Sequence, residues 1–402
     1  MNLPFVFAHH ITFLSRCQRV KKSLQIIQGV LEILPVRSKR KRESMNGFHC
    51  PTKVYSGHGA LQALAQYQCK KVLLITDPFF SQDGKALEIG RNVPGAQVKI
   101  FDRVVPDPPI SLAAEGAAVC QQFGPELLIA LGGGSALDCA KAIYLASGLD
   151  IPFIAIPTTS GSGSEMTSFS ILTRDDVKLP LVDPKLRPTA AILDGDLLER
   201  LPSGLIANAG MDVLAHCMEA LAAKGHTGFT DALAFHAAQT LLMKLERSFV
   251  GDCGVRMELH EAASMAGLAF DQAGLGVCHA LAHAIGGAFH LPHGQVCAIL
   301  LPAVMCYNAP EAIEQYAKLA KQCGLPAATE RLALRNLISS IERLRRRLKL
   351  PDTLAAAGVS KAQWETKKND LLREALKDPC CKTNPVPVDL TGLEGICKAV
   401  AP

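Results

Sequence analysis

The 402-residue sequence predicts an α/β domain built on a parallel sheet, followed by an all-α domain. Three observations carry this. From about residue 50 to 197, short β-branched runs alternate with helical stretches, the pattern of a parallel sheet covered on both faces. Several runs end in glycine, serine or threonine, where a tight turn or a phosphate would be accommodated. After the turn-rich "LERLPSG" (198–204) the strand signals stop, and alanine- and leucine-rich helical windows continue to the end. Single cores stop growing at roughly 250–300 residues, so a chain of this length divides. The division predicted is a leader (1–45), an α/β domain (46–200) and a helical domain (201–402).

The leader differs in composition from the rest. It holds nine Lys/Arg against two acids, leaving 33 bases and 35 acids in the remainder, so the net charge of +5 belongs to the leader. The near-neutral body gives no indication of a nucleic-acid partner. No window approaches the ~18 consecutive apolar residues of a membrane-spanning helix. Fourteen scattered cysteines without a CxxC pair fit a reducing cytoplasm rather than a disulfide framework or a cysteine-bound zinc. Within the leader, Val20, Leu24, Ile27, Leu31 and Leu34 would form one helical stripe stopped by Pro35, the pattern of a docking helix. Two other readings stand beside it: an extension upstream of a true start at Met45, which is preferred, and a base-rich organellar presequence.

Taken in order, the strands are "KKVLLIT" (70–76), "QVKIFD" (97–102), "ELLIALGGGS" (126–135), "IPFIAIPTTS" (151–160) and "TAAILD" (189–194). Asp77 follows the first. A carboxylate there suits the ribose hydroxyls of an adenosine and repels a 2′-phosphate, which favours NAD(H) over NADP(H); a helix N-cap is the competing role. The third strand runs into Gly132, Gly133, Gly134 and Ser135, then a helix whose first turn carries Asp138. Glycines let the backbone approach a pyrophosphate, and a helix start supplies free N–H groups. A second loop, "PTTSGSGSE" (157–165), offers Thr158, Thr159 and Ser162 as hydroxyl donors after the fourth strand. No GxGxxG follows the first strand, so the ordinary dinucleotide fingerprint is missing.

In the helical half, Asp212 and His216 are four residues apart in "GMDVLAHCMEA", on one helix face. The segment "HALAHAIGGAFHLPHG" (279–294) holds four of the chain's twelve histidines, with His279 and His283 repeating the four-residue spacing. One carboxylate and three imidazoles suit Fe²⁺ or Zn²⁺, whereas Mg²⁺ or Ca²⁺ would call for oxygens throughout. The residues supply one histidine too many: a set of Asp212, His216 and two more leaves either His279 or His283 over, the chemistry alone does not choose, and His290 on the same segment is a further decoy.

"GGGSALDCAKA", "AIPTTSGSGSE", "GMDVLAHCMEA", "HALAHAIGGAFHLPHG" and "LLPAVMCYN", with "TNPVP" (383–387), together resemble the iron-containing (group III) alcohol dehydrogenases. Within that family "KVYSGHGAL", "FTDALA" and "AGLAFDQAGLG" are similar to the 1-propanol/ethanol dehydrogenases of bacterial microcompartments for propanediol or ethanolamine use. The resemblance implies a Rossmann-like sheet domain plus a helical domain, the dehydroquinate synthase-like architecture. It implies a metal held by Asp212, His216, His279 and His293 in the cleft between the domains. His283 is then the spare histidine near nicotinamide and substrate, and His290 a bystander. Cofactor contacts carried over are Asp77, Asp107 in "VPDPP", Gly133, Gly134, Ser135, Asp138, Thr158, Thr159, Ser162 and Lys178 in "KLPLVDP". Cys139, Cys217 and Val386 depart from the family pattern without removing a ligand.

The expected activity is reversible hydride transfer between NAD(H) and a short aliphatic aldehyde/alcohol pair, propanal/1-propanol or acetaldehyde/ethanol, with Fe²⁺ (or Zn²⁺) polarising the carbonyl. His283 is the expected proton donor or relay, since an imidazole's ordinary pKa of ~6.5 suits exchange near neutral pH. The resemblance also implies a homo-oligomer in the cytoplasm or inside a microcompartment, beside shell or lumen proteins. Two alternatives are a zinc-dependent polyol (glycerol-type) dehydrogenase and a non-catalytic microcompartment interaction protein.

Overall fold

A computed structural model describes residues 47–174 and 177–402. The leader, with its proposed docking stripe, lies outside the described residues.

Six strands form one parallel sheet in the order β1-β8-β5-β4-β2-β3: β1 (Lys53–Gly57), β2 (Lys71–Ile75), β3 (Gln97–Phe101), β4 (Leu127–Gly132), β5 (Phe153–Pro157) and β8 (Ala190–Asp194). Between β5 and β8 an antiparallel hairpin of β6 (Phe169–Arg174) and β7 (Val177–Val182) stands apart from the sheet. All five strands expected from the sequence are present. β1 and the hairpin were not expected, because "KVYSG" is short and half exposed and "VKLPLV" contains a proline.

The sheet separates two cores. Leu73, Ile75, Leu128 and Ala130 face α3 (Ile110–Phe123) and α4 (Gly134–Ser147). The alternate residues Val72, Leu74, Ile129 and Leu131 face the short helices α1 (Pro78–Gln82) and α2 (Lys85–Gly90) and the turn at 60–66. Every residue of β4 is buried, as expected for a central strand covered on both faces.

From Ser203 onward the chain is helical: α5 (Ser203–Ala222), α6 (Gly228–Phe249), α7 (Arg256–Ala273), α8 (Val277–Phe289), α9 (His293–Gln322), α10 (Glu330–Arg347), α11 (Lys361–Lys377), α12 (Cys380–Thr383) and α13 (Leu390–Lys398). α9 is long and apolar enough to cross a membrane by length and composition, yet 56% of that window is buried within the protein. It is a core helix, with Val296, Ile299, Leu300 and Met305 fully or almost fully buried. The thirteen cysteines among the described residues are all free thiols.

The two halves touch backbone to backbone at Gly163 and Gly267. A Cβ on Gly163, in the loop after β5, would lie 2.6 Å from Cα of Gly267 in α7, and one on Gly267 would lie 2.7 Å from the Gly163 carbonyl oxygen. Only glycine fits on either side, and Gly163 is also left-handed at φ +63°. Beside this point Ser160 and His260 of α7 are hydrogen-bonded, Oγ to Nδ1 at 3.0 Å.

Candidate metal and cofactor site

The chain runs outward from β2 to β3, then returns across β2 to β4, β5 and β8, so the direction reverses between β2 and β4. Ligands of open α/β sheets bind beyond the strand ends at such a switch point. Asp77 closes β2 there, and Gly132 closes β4. Asp77 does act as the N-cap of α1, its Oδ1 accepting from Phe79 N (2.9 Å) and Phe80 N (3.4 Å). Its Oδ2 faces Gly132, 3.6 Å from where a Cβ would stand. The N-cap role weighed for Asp77 is therefore filled by Oδ1 alone.

Gly132 has φ +143°, and a Cβ on it would lie 2.6 Å from Ala136 Cβ. The turn into α4 therefore requires glycine. Gly133 is the N-cap of α4 and Gly134 and Ser135 its first residues, so this loop ends in free N–H groups. The second loop lies directly against the first: a Cβ on Gly133 would be 3.4 Å from Thr159 Oγ1, and one on Gly134 3.0 Å from Ser162 Cβ. Thr158 is tied in by its N–H to the Gly132 carbonyl at 3.0 Å.

Asp138 sits one turn into α4 and braces its surroundings. It accepts from Ser164 Oγ (2.6 Å) and Ile171 N (3.1 Å), fixing the second loop and the hairpin to α4. Burial raises its pKa, opposed by the Lys141 charge. Lys141 is itself wholly buried and donates to the Thr167 and Phe169 carbonyls; burial lowers its pKa to about 8. Lys178 of β7 lines the cleft and pairs with Asp107, an exposed residue in the left-handed region at φ +53°.

The cleft between the halves has a volume of about 400 Å³. Its sheet side includes Asp138, Ser162 and Lys178, and its helical side Asp212, His216, His279, His283 and His293. Phe169, Ile171, Val182, Phe270 and Leu275 give it apolar walls.

On the helical side α5 presents Asp212, His216 and Glu219 along one face, α8 presents His279 and His283, and α9 begins with His293. Asp212 Oδ1 lies 3.5 Å from His279 Nε2 and 3.4 Å from His293 Nε2. One ligand atom from each of these residues and the Cys297 sulfur lie within 4.8 Å of one another. His216 stands outside this tightest group, its ring stacked on His279 at 4.6 Å and on Phe270 at 4.4 Å. Asp212 Oδ1, His279 Nε2 and His216 Nδ1 are buried atoms without hydrogen-bond partners. Such atoms carry a desolvation cost unless something is bound to them. Asp212 Oδ1 with the Nε2 atoms of His279 and His293, gathered on the helical side of the cleft, is a donor set that fits a divalent transition metal.

The electrostatics agree. Burial works against ionised Asp212, but the neighbouring His216, His293 and His279 hold its carboxyl well below the usual range. Burial lowers His216 to about 3 and His293 to about 4, so both are neutral with free lone pairs at pH 7. Burial disfavours charged His279, but the neighbouring Asp212 and Glu219 carboxylates raise its pKa well above the ordinary value.

Three residues around this group were not expected from the sequence. Glu219, 2% exposed, accepts from His279 Nδ1 (2.7 Å) and from the N–H groups of Gly276 (2.9 Å), Cys278 (2.6 Å) and His279 (3.4 Å). It leaves Nε2 as the nitrogen His279 turns to Asp212, the usual device for orienting a ligating imidazole. The spacing Asp212, His216, Glu219 on one helix face was the available signal. Cys297, one turn after His293, puts its sulfur 3.6 Å from His293 Nε2. Asp378 accepts from His283 Nδ1 at 2.8 Å. His290 is exposed and forms the left-handed C-cap of α8 (φ +53°), away from the group.

The N-terminal family model described as iron-containing alcohol dehydrogenase matches residues 51–195, and its C-terminal counterpart matches 206–401. The chain belongs to the iron-containing alcohol dehydrogenase family. It is 41% identical to the 1-propanol dehydrogenase PduQ of Salmonella typhimurium over 86% of this chain and 97% of that one. It is 35% identical to the NADPH-dependent butanol dehydrogenase of Clostridium saccharobutylicum over 85% and 94%. Among solved structures, sulfoacetaldehyde reductase from Bifidobacterium kashiwanohense in complex with NAD⁺ superposes with a TM-score of 0.79 at 26% identity, covering 89% and 99%. This family membership makes the protein an alcohol dehydrogenase, with the sheet-plus-helices fold expected of the family.

Proposed function

We propose that the protein interconverts short aliphatic aldehydes and primary alcohols, propanal/1-propanol or acetaldehyde/ethanol, with NAD(H) as hydride carrier and Fe²⁺ as resident metal. The observation that carries this is the convergence of unpartnered Asp212 Oδ1 and His279 Nε2 with His293, inside a cleft whose other side holds Asp138, Ser162 and Lys178. Asp212, His216, His279 and His293 would hold the metal, which supplies Lewis-acid stabilisation of alkoxide charge. The glycine loop, Thr158, Thr159 and Ser162 would hold the pyrophosphate and ribose of the cofactor, with Asp107 and Lys178 at the rim. Asp77 supports NAD(H) over NADP(H), a preference the NADPH-dependent relative makes worth measuring.

His283 handles the alcohol proton in this reading. Its Nδ1–H is committed to Asp378, which leaves Nε2 free to exchange a proton. The apolar walls exclude water and suit a hydrocarbon tail; a polyol would leave several hydroxyls unpaired against Phe169, Ile171 and Phe270. The working form is taken as a cytoplasmic or microcompartment homo-oligomer, which sizing of the native protein tests.

The decisive experiment measures bound metal and cofactor-dependent rates over propanal, acetaldehyde, 1-propanol and glycerol, with NADH and NADPH compared. Reduction of the short aldehydes by the Fe²⁺ enzyme with NADH is expected. Activity on glycerol with Zn²⁺, and none on propanal with Fe²⁺, would reverse the assignment in favour of a polyol dehydrogenase.

A further inference from the structure

Outside the Asp212 group, a second set of metal-binding atoms faces the same cleft. His283, Asp378 and Cys380 each contribute one ligand atom, and the three lie within 4.8 Å of one another. All three residues line the cleft, and none is fully buried, so an ion can reach them from solvent. The set is held in place by its own hydrogen bonds. Asp378 Oδ2 accepts from His283 Nδ1 at 2.8 Å, while Oδ1 accepts from the Cys380 backbone N–H at 2.8 Å. The second bond fixes the Asp-Pro-Cys turn at the start of α12, with thiol and carboxylate on the same side as His283.

We propose that His283, Asp378 and Cys380 form a second, inhibitory cation site selective for soft divalent ions such as Zn²⁺ or Cd²⁺. A thiolate, an imidazole and a carboxylate are the mixed S, N and O donors such ions prefer, and water completes the tetrahedron. Ligand atoms around zinc stand roughly 3.5 Å apart given bonds of about 2.0–2.3 Å. Rotation of the three side chains closes the remaining distance. Binding releases one proton, from the Cys380 thiol, and shifts the His283 proton from Nδ1 to Nε2. With two anionic ligands and a neutral one, the bound dication is charge-balanced. His283 then presents an N–H to the cleft and has lost Asp378 as its proton partner, so it no longer relays protons. The inhibitory consequence rests on the function proposed above; the binding itself does not.

The test uses the metal-loaded enzyme, titrated with Cd²⁺ and followed by ultraviolet sulfur-to-cadmium absorption and bound-metal stoichiometry, alongside Cys380→Ser and Cys297→Ser variants. One additional equivalent and the absorption band are expected, both lost in Cys380→Ser and kept in Cys297→Ser. In parallel, Zn²⁺ inhibition of aldehyde reduction is read relative to each variant's own zinc-free rate. Losing a direct ligand should weaken inhibition by more than the roughly 10–100-fold that loss of an outer partner costs. An unchanged band in Cys380→Ser, or its loss in Cys297→Ser, overturns the site. Cadmium binding that depends on Cys380 in a protein inactive toward every aldehyde would instead leave the site standing and fail the proposed function.

Discussion

On the sheet side of the cleft the candidate cofactor site is made largely of backbone. Gly132–Ser135 and 157–163 offer N–H groups and close contacts between short residues, and each loop is one contiguous stretch of sequence. On the helical side the candidate metal site is made of side chains drawn from α5, α8 and α9, and Glu219, itself buried, holds His279. The difference lies in what each side can absorb. A backbone site yields by degrees when a neighbour shifts by tenths of an ångström. A side-chain site loses a donor outright, leaving its partners buried and unpaired.

The largest expected effect follows from that contrast. Asp212→Ala should lose both bound metal and propanal reduction; an Asp212→Ala protein that keeps both, by metal analysis and a coupled NADH assay, would show that the metal lies elsewhere. Next, His279→Ala should lose metal, whereas His283→Ala should retain it and lose about 10²–10⁴-fold in rate, the usual share of a general acid–base group. Equal metal loss in the two variants would merge the roles of the two histidines. Glu219→Gln puts an NH₂ where the carboxylate accepts four N–H bonds, and metal affinity should fall by about 10–100-fold. Titration of the metal-free variant against a chelating indicator measures this without reference to turnover.

Smaller effects belong to the seam and the sheet side. Burial lowers His260 to about 4, below its ordinary value of about 6.5. The unfolded chain therefore binds this proton first, and stability is complete above pH 6.5 and declines as pH falls toward 4. The loss is about 1 kcal/mol at pH 6 and up to about 3 kcal/mol near pH 4. Denaturant melts across that range should show this slope in the native sequence and its reduction in His260→Gln. Gly134→Ala is the mildest, since its Cβ meets Ser162 Cβ at 3.0 Å and the loop can give. About 1 kcal/mol, seen as a fivefold rise in KM for NAD(H) with kcat preserved, is expected. A collapse of kcat instead would mean that the two sides are less independent than their construction suggests.

The same contrast governs what could be read from the sequence. The central strands were legible because burial on both faces writes an uninterrupted apolar run, as in β4, and the glycine turn because its backbone demands leave few other residues. β1 and the β6–β7 hairpin were not, since edge and hairpin strands carry half-polar patterns that many loops share. Asp212 with His216, and His279 with His283, were visible through helical spacing. Which histidine is surplus was not legible from spacing and was assigned only by resemblance; the structure adds that His290 is exposed at a helix cap. Asp378 could not have been found by spacing, because 95 residues separate it from His283 and only the folding of α11 and α12 over α8 joins them.

The contact between Gly163 and Gly267 sets a clearance. Sheet domain and helical domain meet there with no side chain between them, so the gap is defined by the thickness of two main chains. One methyl group at either position would act as a shim, tilting the loop that carries Ser162 away from the helix that carries Phe270. The opening it created would change the width of the cleft while leaving every residue that lines it unaltered in sequence.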